Sequence, residues 1–223
     1  MHSVVATSLL DMALPAACAG CSSEGAALCT TCRQALDART SLSAGVPIGL
    51  PSGVPMPLAQ LEWCAPFSGT VRTSLHQLKY SGERRLTGPL AAAVAARWRA
   101  AGVGGQLLVP VPVHAERARQ RGYDQAVLLT QEVSRRLQMP WLAALKRTRR
   151  TAPQFDLGRR ARRANVAGAF ALAEPAQAAQ IRARWIVLVD DVVTTGSTLV
   201  ACSEALYGVG AVAVSAVTVA RER

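Results

Sequence analysis

Two adjacent carboxylates at the end of an apolar run are the most chemically pointed feature of this sequence. Ile186-Val-Leu-Val189 leads into Asp190 and Asp191, and Val192 and Val193 carry the chain on to Thr194, Thr195, Gly196, Ser197 and Thr198. An uninterrupted apolar run ending in acid fits a strand buried on both faces, and the hydroxyl-rich stretch fits a turn into a helix. Successive backbone amides in a tight turn, hydroxyl side chains and the positive end of a helix together make a cradle for a phosphate. Gly196 permits the turn and lets a phosphate approach the backbone. Carboxylates beside such a cradle would repel a phosphate placed on them, so they are expected to hold something else. Sugar hydroxyls within hydrogen-bond reach of the phosphate fit that place.

A second group of chemically capable residues is basic. His114-Ala-Glu-Arg-Ala-Arg-Gln-Arg-Gly-Tyr-Asp-Gln125 follows another Val-rich run, and Arg117, Arg121 and the Gly122 backbone could bind a pyrophosphate. Taken alone, the segment would read as a solvated basic turn. Lys146 to Asn165 is a polar, Arg-dense insertion between apolar elements, of the kind that forms disordered surface or contacts nucleic acid.

The third group is Cys18, Cys21, Cys29 and Cys32, spaced C-x2-C-x7-C-x2-C with Gly20, Ser22, Ser23 and Gly25 as turn residues. Two such knuckles can surround one Zn2+ tetrahedrally, giving a closed structural site with no open position for catalysis. Two disulfides or unligated core thiols are the alternatives, and the expected cytoplasmic location argues against disulfides. Cys64 and Cys202 are isolated in apolar contexts and are expected to be buried small hydrophobes. His2, His76 and His114 are too scattered to suggest a site.

The elements that must position these residues alternate between strand and helix. Leu107 to Val113, Ile186 to Val189 and Ala211 to Ala220 have strand character. Leu86 to Trp98, Asp124 to Leu137 and Ser197 to Leu206 have helical patterns. Strand, helix and strand in succession imply parallel crossovers and an α/β fold with helices on both faces of the sheet. In such sheets ligands sit beyond the carboxyl ends of the strands, which directs attention to the segments after Val113 and Val189. Residues 1–39 are expected to form the cysteine module, 40–60 a Pro/Gly/Ser-rich linker, and 61–223 the main domain.

Composition narrows the function classes. Half of the 223 residues are apolar and 17% charged, which excludes a disordered chain. Apolar stretches such as Ala211 to Ala220 fall short of the roughly 20 residues that cross a bilayer, so no membrane insertion is expected. Leu14 to Cys18 loosely resembles a lipoprotein cleavage box, but no Lys or Arg precedes it and Asp11 interrupts the apolar stretch. The net charge is +11, and residues 117 to 163 hold 13 Lys/Arg against Asp124, Glu132 and Asp156. That clustering points to phosphorylated partners, either small molecules or nucleic acid.

The 186–198 segment resembles, position for position, the phosphoribosyl pyrophosphate (PRPP) motif of type I phosphoribosyltransferases. Further matching pieces are Leu78-Lys-Tyr-Ser-Gly82, Val109-Pro-Val-Pro112, Arg121-Gly-Tyr-Asp-Gln125, Arg147-Thr148, Gln154, Leu157, Arg163-Ala-Asn165, Phe170 and Ala220-Arg221. With the paired cysteines, their order resembles the ComF family of competence proteins, also described as double-zinc-ribbon or GntX-like phosphoribosyltransferases. The resemblance implies a type I phosphoribosyltransferase fold in which residues 146–165 form a mobile hood, or flap, over PRPP. It implies that Asp190 and Asp191 bind the ribose 2′ and 3′ hydroxyls and Thr194 to Thr198 the 5′-phosphate, with Val192 and Val193 in the same motif. Mg2+ would arrive with PRPP, held mainly by substrate oxygens and water.

Arg117, Arg121, Gly122 and Lys79 would then serve the pyrophosphate, and the reaction would be its displacement from ribose C1 by a nitrogen nucleophile of unknown identity. The competing expectation is a non-catalytic PRPP-sensing protein that binds single-stranded DNA and works with the DNA-uptake machinery. Oligomeric state is left open. One departure from the family is Asp124, where Asn is common: a carboxylate there either weakens pyrophosphate binding or points elsewhere.

Overall fold

The computed structural model describes residues 16–43, 54–101, 104–113, 115–148 and 168–222. In chain order the first elements are α1 (Thr30–Arg33), β1 (Gln60–Pro66), α2 (Gly69–Tyr80), α3 (Thr87–Ala100), β2 (Leu107–Pro110) and α4 (Ala115–Arg121). They are followed by α5 (Gln125–Leu137), β3 (Leu145–Arg147), β4 (Phe170–Leu172), α6 (Ala178–Ile181), β5 (Trp185–Val193), α7 (Ser197–Tyr207) and β6 (Ala213–Arg221). The order in the main sheet is β1-β6-β5-β2 and every pairing is parallel. β3 and β4 make a separate antiparallel pair.

Period-two alternation divides the strand side chains between two cores. Leu108, Val187, Val189, Val217 and Val219 pack with Leu75 of α2, Leu90 and Val94 of α3, and Leu129 and Val133 of α5. Leu107, Ile186, Leu188, Val214 and Ala216 pack on the opposite face with Leu199, Cys202 and Leu206 of α7 and Ile181 of α6. The expected parallel sheet with helices on both faces is therefore what the chain forms.

The strand limits differ from the sequence reading in an informative way. β5 continues four residues past Val189, so Asp190 and Asp191 lie within the strand and not in a loop after it. They continue to pair, Asp190 facing Thr218 in the register of β5 with β6. β2 ends at Pro110, although the Val111 amide still donates to the Val189 carbonyl at 3.0 Å.

β1 and α2 had no counterpart in the sequence reading. β1 places Glu62 wholly inside, where its Oε2 accepts from Arg97 Nε at 2.8 Å and Nη2 at 2.6 Å and its Oε1 from Gln60 at 2.7 Å. The same guanidinium donates to the carbonyls of Arg39 and Leu42, both at 2.6 Å, and of Ser43 at 3.1 Å. The segment leaving the cysteine module is thus fastened to α3. Cys18, Ala27, Leu28 and Leu36 share the core of Leu75 and Leu78. Gly20 allows the closest approach: a Cβ there would lie 2.5 Å from Cys32 Sγ and 2.8 Å from Thr70 of α2.

Candidate functional site

The carboxyl end of β5 opens into a cavity of about 170 Å³ lined by Lys79, Asp190 to Thr194 and Gly196 to Leu199, with Phe67 and Glu222 alongside. Because strand residues alternate, the adjacent carboxylates face different neighbours. Asp191 turns toward the α2 and α5 side, where Lys79 Nζ is 2.9 Å from its Oδ2 and Gln125 Nε2 donates to the same oxygen at 3.1 Å. Asp190 accepts the Asp191 backbone N–H on Oδ1 at 2.8 Å. Burial, followed by the charge of Asp191, pushes the Asp190 carboxyl well above its ordinary range. Lys79 is held above its ordinary value by Asp191, whose charge and hydrogen bond outweigh the larger single effect of burial, which lowers it.

The turn entering α7 has a left-handed glycine followed by hydroxyl-bearing residues. Gly196, at φ +79°, precedes α7 directly, and the Val200 amide donates to its carbonyl at 2.9 Å. The Thr195 and Ser197 hydroxyls are 2.8 Å apart. A Cβ on Gly196 would fall 2.8 Å from Pro55 Cγ, so the space beside this glycine is filled by Pro55. Glycine here answers both to the left-handed backbone and to that contact.

Arg121 stands beside the cavity. Its Nη1 donates to Gln125 Oε1 at 2.8 Å and its guanidinium lies 5.0 Å over the Tyr80 ring. Gln125, 4% exposed, therefore joins Arg121 to Asp191 with its amide orientation fixed, oxygen toward the guanidinium and nitrogen toward the carboxylate. In the sequence Gln125 stands out only as the last residue of Arg121-Gly-Tyr-Asp-Gln125. Its signal was its place four residues after Arg121, at the start of a helix whose inward face also carries Ala126, Leu129 and Val133.

Asp124 resolves its two alternatives by pointing elsewhere: it caps α5, accepting from the amides of Ala126 at 2.8 Å and Val127 at 3.2 Å. Gly122, at φ +75°, turns the chain between α4 and α5. The Arg117 side chain, His114 and residues 149–167, including Arg159, Arg160, Arg162 and Arg163, lie outside the described residues. That insertion departs from β3 and returns into β4, so an antiparallel pair forms its base.

The four cysteines form a separate cluster, their Sγ atoms all within 4.8 Å of one another. Amides of Gly20 and Cys29 donate to Cys18 Sγ at 3.4 and 3.3 Å, and the Cys32 amide to Cys29 Sγ at 3.5 Å. These contacts, led by the Cys29 amide, lower the Cys18 thiol to about 6, whereas burial and the neighbouring sulfurs push Cys32 up to about 12. Four sulfurs this close together could hold one cation, and four thiolates suit Zn2+. Cys64 and Cys202 are buried, as expected. Among the described residues no helix is long and apolar enough to cross a membrane.

No protein-family model matches the chain. It is 34% identical over 204 residues to the DNA utilization protein YhgH of Escherichia coli O157:H7, covering 84% of this chain and 87% of that protein. The same protein of Salmonella typhi is 32% identical over 202 residues with the same coverage. Competence protein F of Haemophilus influenzae is 42% identical over 106 residues, spanning 47% of this chain and 45% of its own length. Among solved structures, the allosteric regulatory enzyme of purine biosynthesis superposes with a TM-score of 0.43 at 14% identity. The glutamine PRPP amidotransferase from B. subtilis superposes at 0.44 and 16%. Each match covers 65% of this chain and 30% of the larger one.

Proposed function

This chain belongs to the ComF family of competence proteins, and on that premise we propose that it binds PRPP with Mg2+ and transfers the phosphoribosyl group to a nitrogen nucleophile. The observation that carries the reading is the arrangement at the end of β5: two carboxylates and an amide-and-hydroxyl turn entering α7, lining one cavity with Lys79. Asp190 and Asp191 would bind the ribose diol, and the turn from Thr194 to Thr198 the 5′-phosphate. The hard carboxylate oxygens suit Mg2+, which arrives on the substrate's pyrophosphate.

In the reaction the nitrogen lone pair forms the N–C1 bond while the C1–O bond breaks. Its electron pair leaves on pyrophosphate, and the nitrogen's proton passes to solvent. Positive charge developing on the ribose is stabilised by Asp190. Arg121, oriented by Gln125, would serve the leaving group. Lys79 pairs with Asp191, a different task from the pyrophosphate contact expected of it.

The test is calorimetry with PRPP and Mg2+ on the parent and on an Asp190→Asn/Asp191→Asn variant. Binding by the parent alone is expected; equal binding by both removes the reading.

A second reading is favoured by the names of the relatives and by the basic stretch: single-stranded DNA handling in the cytoplasm during uptake in natural transformation. Aromatic stacking partners within that stretch are limited to Tyr123, Trp141 and Phe155. DNA affinity should then fall steeply with salt and collapse on charge reversal at Arg159, Arg160, Arg162 and Arg163. Affinity indifferent to that reversal counts against it.

A further inference from the structure

Phe67 and Glu222 also line this cavity and have no part in the proposed binding of PRPP. Phe67 follows β1 and donates its backbone N–H to the Arg221 carbonyl at 2.7 Å. Glu222 follows β6 and donates its N–H to the Val193 carbonyl at 2.9 Å. Backbone bonds therefore stitch the ends of β1, β6 and β5 together and hold both residues at the rim, with the Phe67 ring partly buried against the core.

Topology assigns the sides of the cavity. In the order β1-β6-β5-β2 the phosphate cradle belongs to the junction of β5 with α7, and Arg121 and Gln125 lie toward β2. The β1–β6 side is what remains for the second substrate. The lining carries three carboxylates, Asp190, Asp191 and Glu222, against the single ammonium of Lys79, which is already paired with Asp191. A carboxylate-bearing acceptor is repelled there, and an N–H donor is attracted. An aromatic ring next to a carboxylate suits a planar ligand that stacks with its face and donates from its edge.

We propose that Phe67 and Glu222 form the acceptor wall and select a planar nitrogen heterocycle bearing N–H donors and no carboxylate. The inference rests on the PRPP reading and supplies the acceptor class that the reading leaves open.

The test titrates adenine and cytosine, with nicotinate as the acidic counterpart, into protein saturated with PRPP and Mg2+. Adenine or cytosine binds the parent and nicotinate does not. Glu222→Gln, which replaces a charged acceptor by a neutral one, weakens the aminated base by about tenfold or more. Phe67→Ala weakens it by a similar factor. Both variants bind PRPP within about threefold of the parent, which separates loss of the wall from misfolding. The proposal is overturned if neither aminated base binds, if nicotinate binds better, or if both variants hold the base as the parent does. Failure of the parent to bind PRPP at all would instead remove the PRPP reading on which the wall depends.

Discussion

Replacing Lys79 by Met keeps the length of the side chain and removes its charge, leaving Asp191 with Gln125 as its hydrogen-bond partner beside the second carboxylate. At 2.9 Å and an effective dielectric constant of about 20, the Lys79–Asp191 attraction is about 6 kcal/mol before desolvation. Burying both groups offsets most of that, so the measurable quantity is the cost of a stranded carboxylate, about 3–5 kcal/mol when no solvent reaches it. Here the side chains are 19% and 8% exposed, which brings the expectation to about 2–3 kcal/mol. For a chain of this size that corresponds to roughly 5–10 °C in the thermal midpoint. Urea unfolding at pH 8 should show this loss for Lys79→Met. In a cycle with Asp191→Asn, the double variant should be more stable than the sum of the single losses predicts, by about 2 kcal/mol. Additivity to within about 0.5 kcal/mol would show that the ion pair does not hold this site together and that the account of Lys79 is wrong.

The raised Asp190 carboxyl gives a pH signature of defined sign. Its stability contribution is full below the ordinary carboxyl value of 3.8 and is lost as pH rises through the higher folded value. Asp190→Asn should therefore unfold at a higher temperature than the parent at pH 8, with the gap closing toward pH 4, while PRPP binding is lost. A parent more stable than the variant at pH 8 would contradict the burial argument. For the cysteine module, an excess of a strong chelator should release one Zn2+ per chain and lower the midpoint by at least about 5 °C, because Cys18 and Leu28 share the core of Leu75. Cys32→Ser should start from that lowered midpoint and respond little to chelator. A midpoint unmoved by metal removal would mean that the sulfur cluster is not what holds the module to the core.

How much of this was legible beforehand depended on whether the relevant residues were neighbours in sequence. The strand, turn and helix from Ile186 to Leu206 could be read directly, since apolar run, acid pair, hydroxyl turn and helical pattern follow one another. The four cysteines were equally legible by spacing. β1 was hidden because Gln60 and Glu62 break its apolar pattern, and the partners that make a buried Glu62 tolerable include the remote Arg97 and Arg39. α2 is rich in Thr and Ser and begins at glycine, so propensity obscured it, although Val71, Leu75 and Leu78 carried the helical period. The path from Arg121 through Gln125 to Asp191 and Lys79 joins three separate stretches of chain, and no local pattern announces it. Strand alternation, by contrast, already implied that Asp190 and Asp191 would face different neighbours once β5 was seen to include them.

The arginine at position 97 bears on how such a chain can be recombined. A foreign cysteine module joined ahead of β1 would bring its own four thiols, yet the fork of Arg97 is already committed to the carbonyls of Arg39, Leu42 and Ser43 and to Glu62. The graft would have to present three carbonyl oxygens in the same places or leave a wholly buried guanidinium short of acceptors. Lysine could not take over, because one ammonium cannot reproduce the span of the planar fork. The junction is thus inherited as a unit with the third helix: the transferable piece ends after Ser43 and must travel with its matching arginine and glutamate.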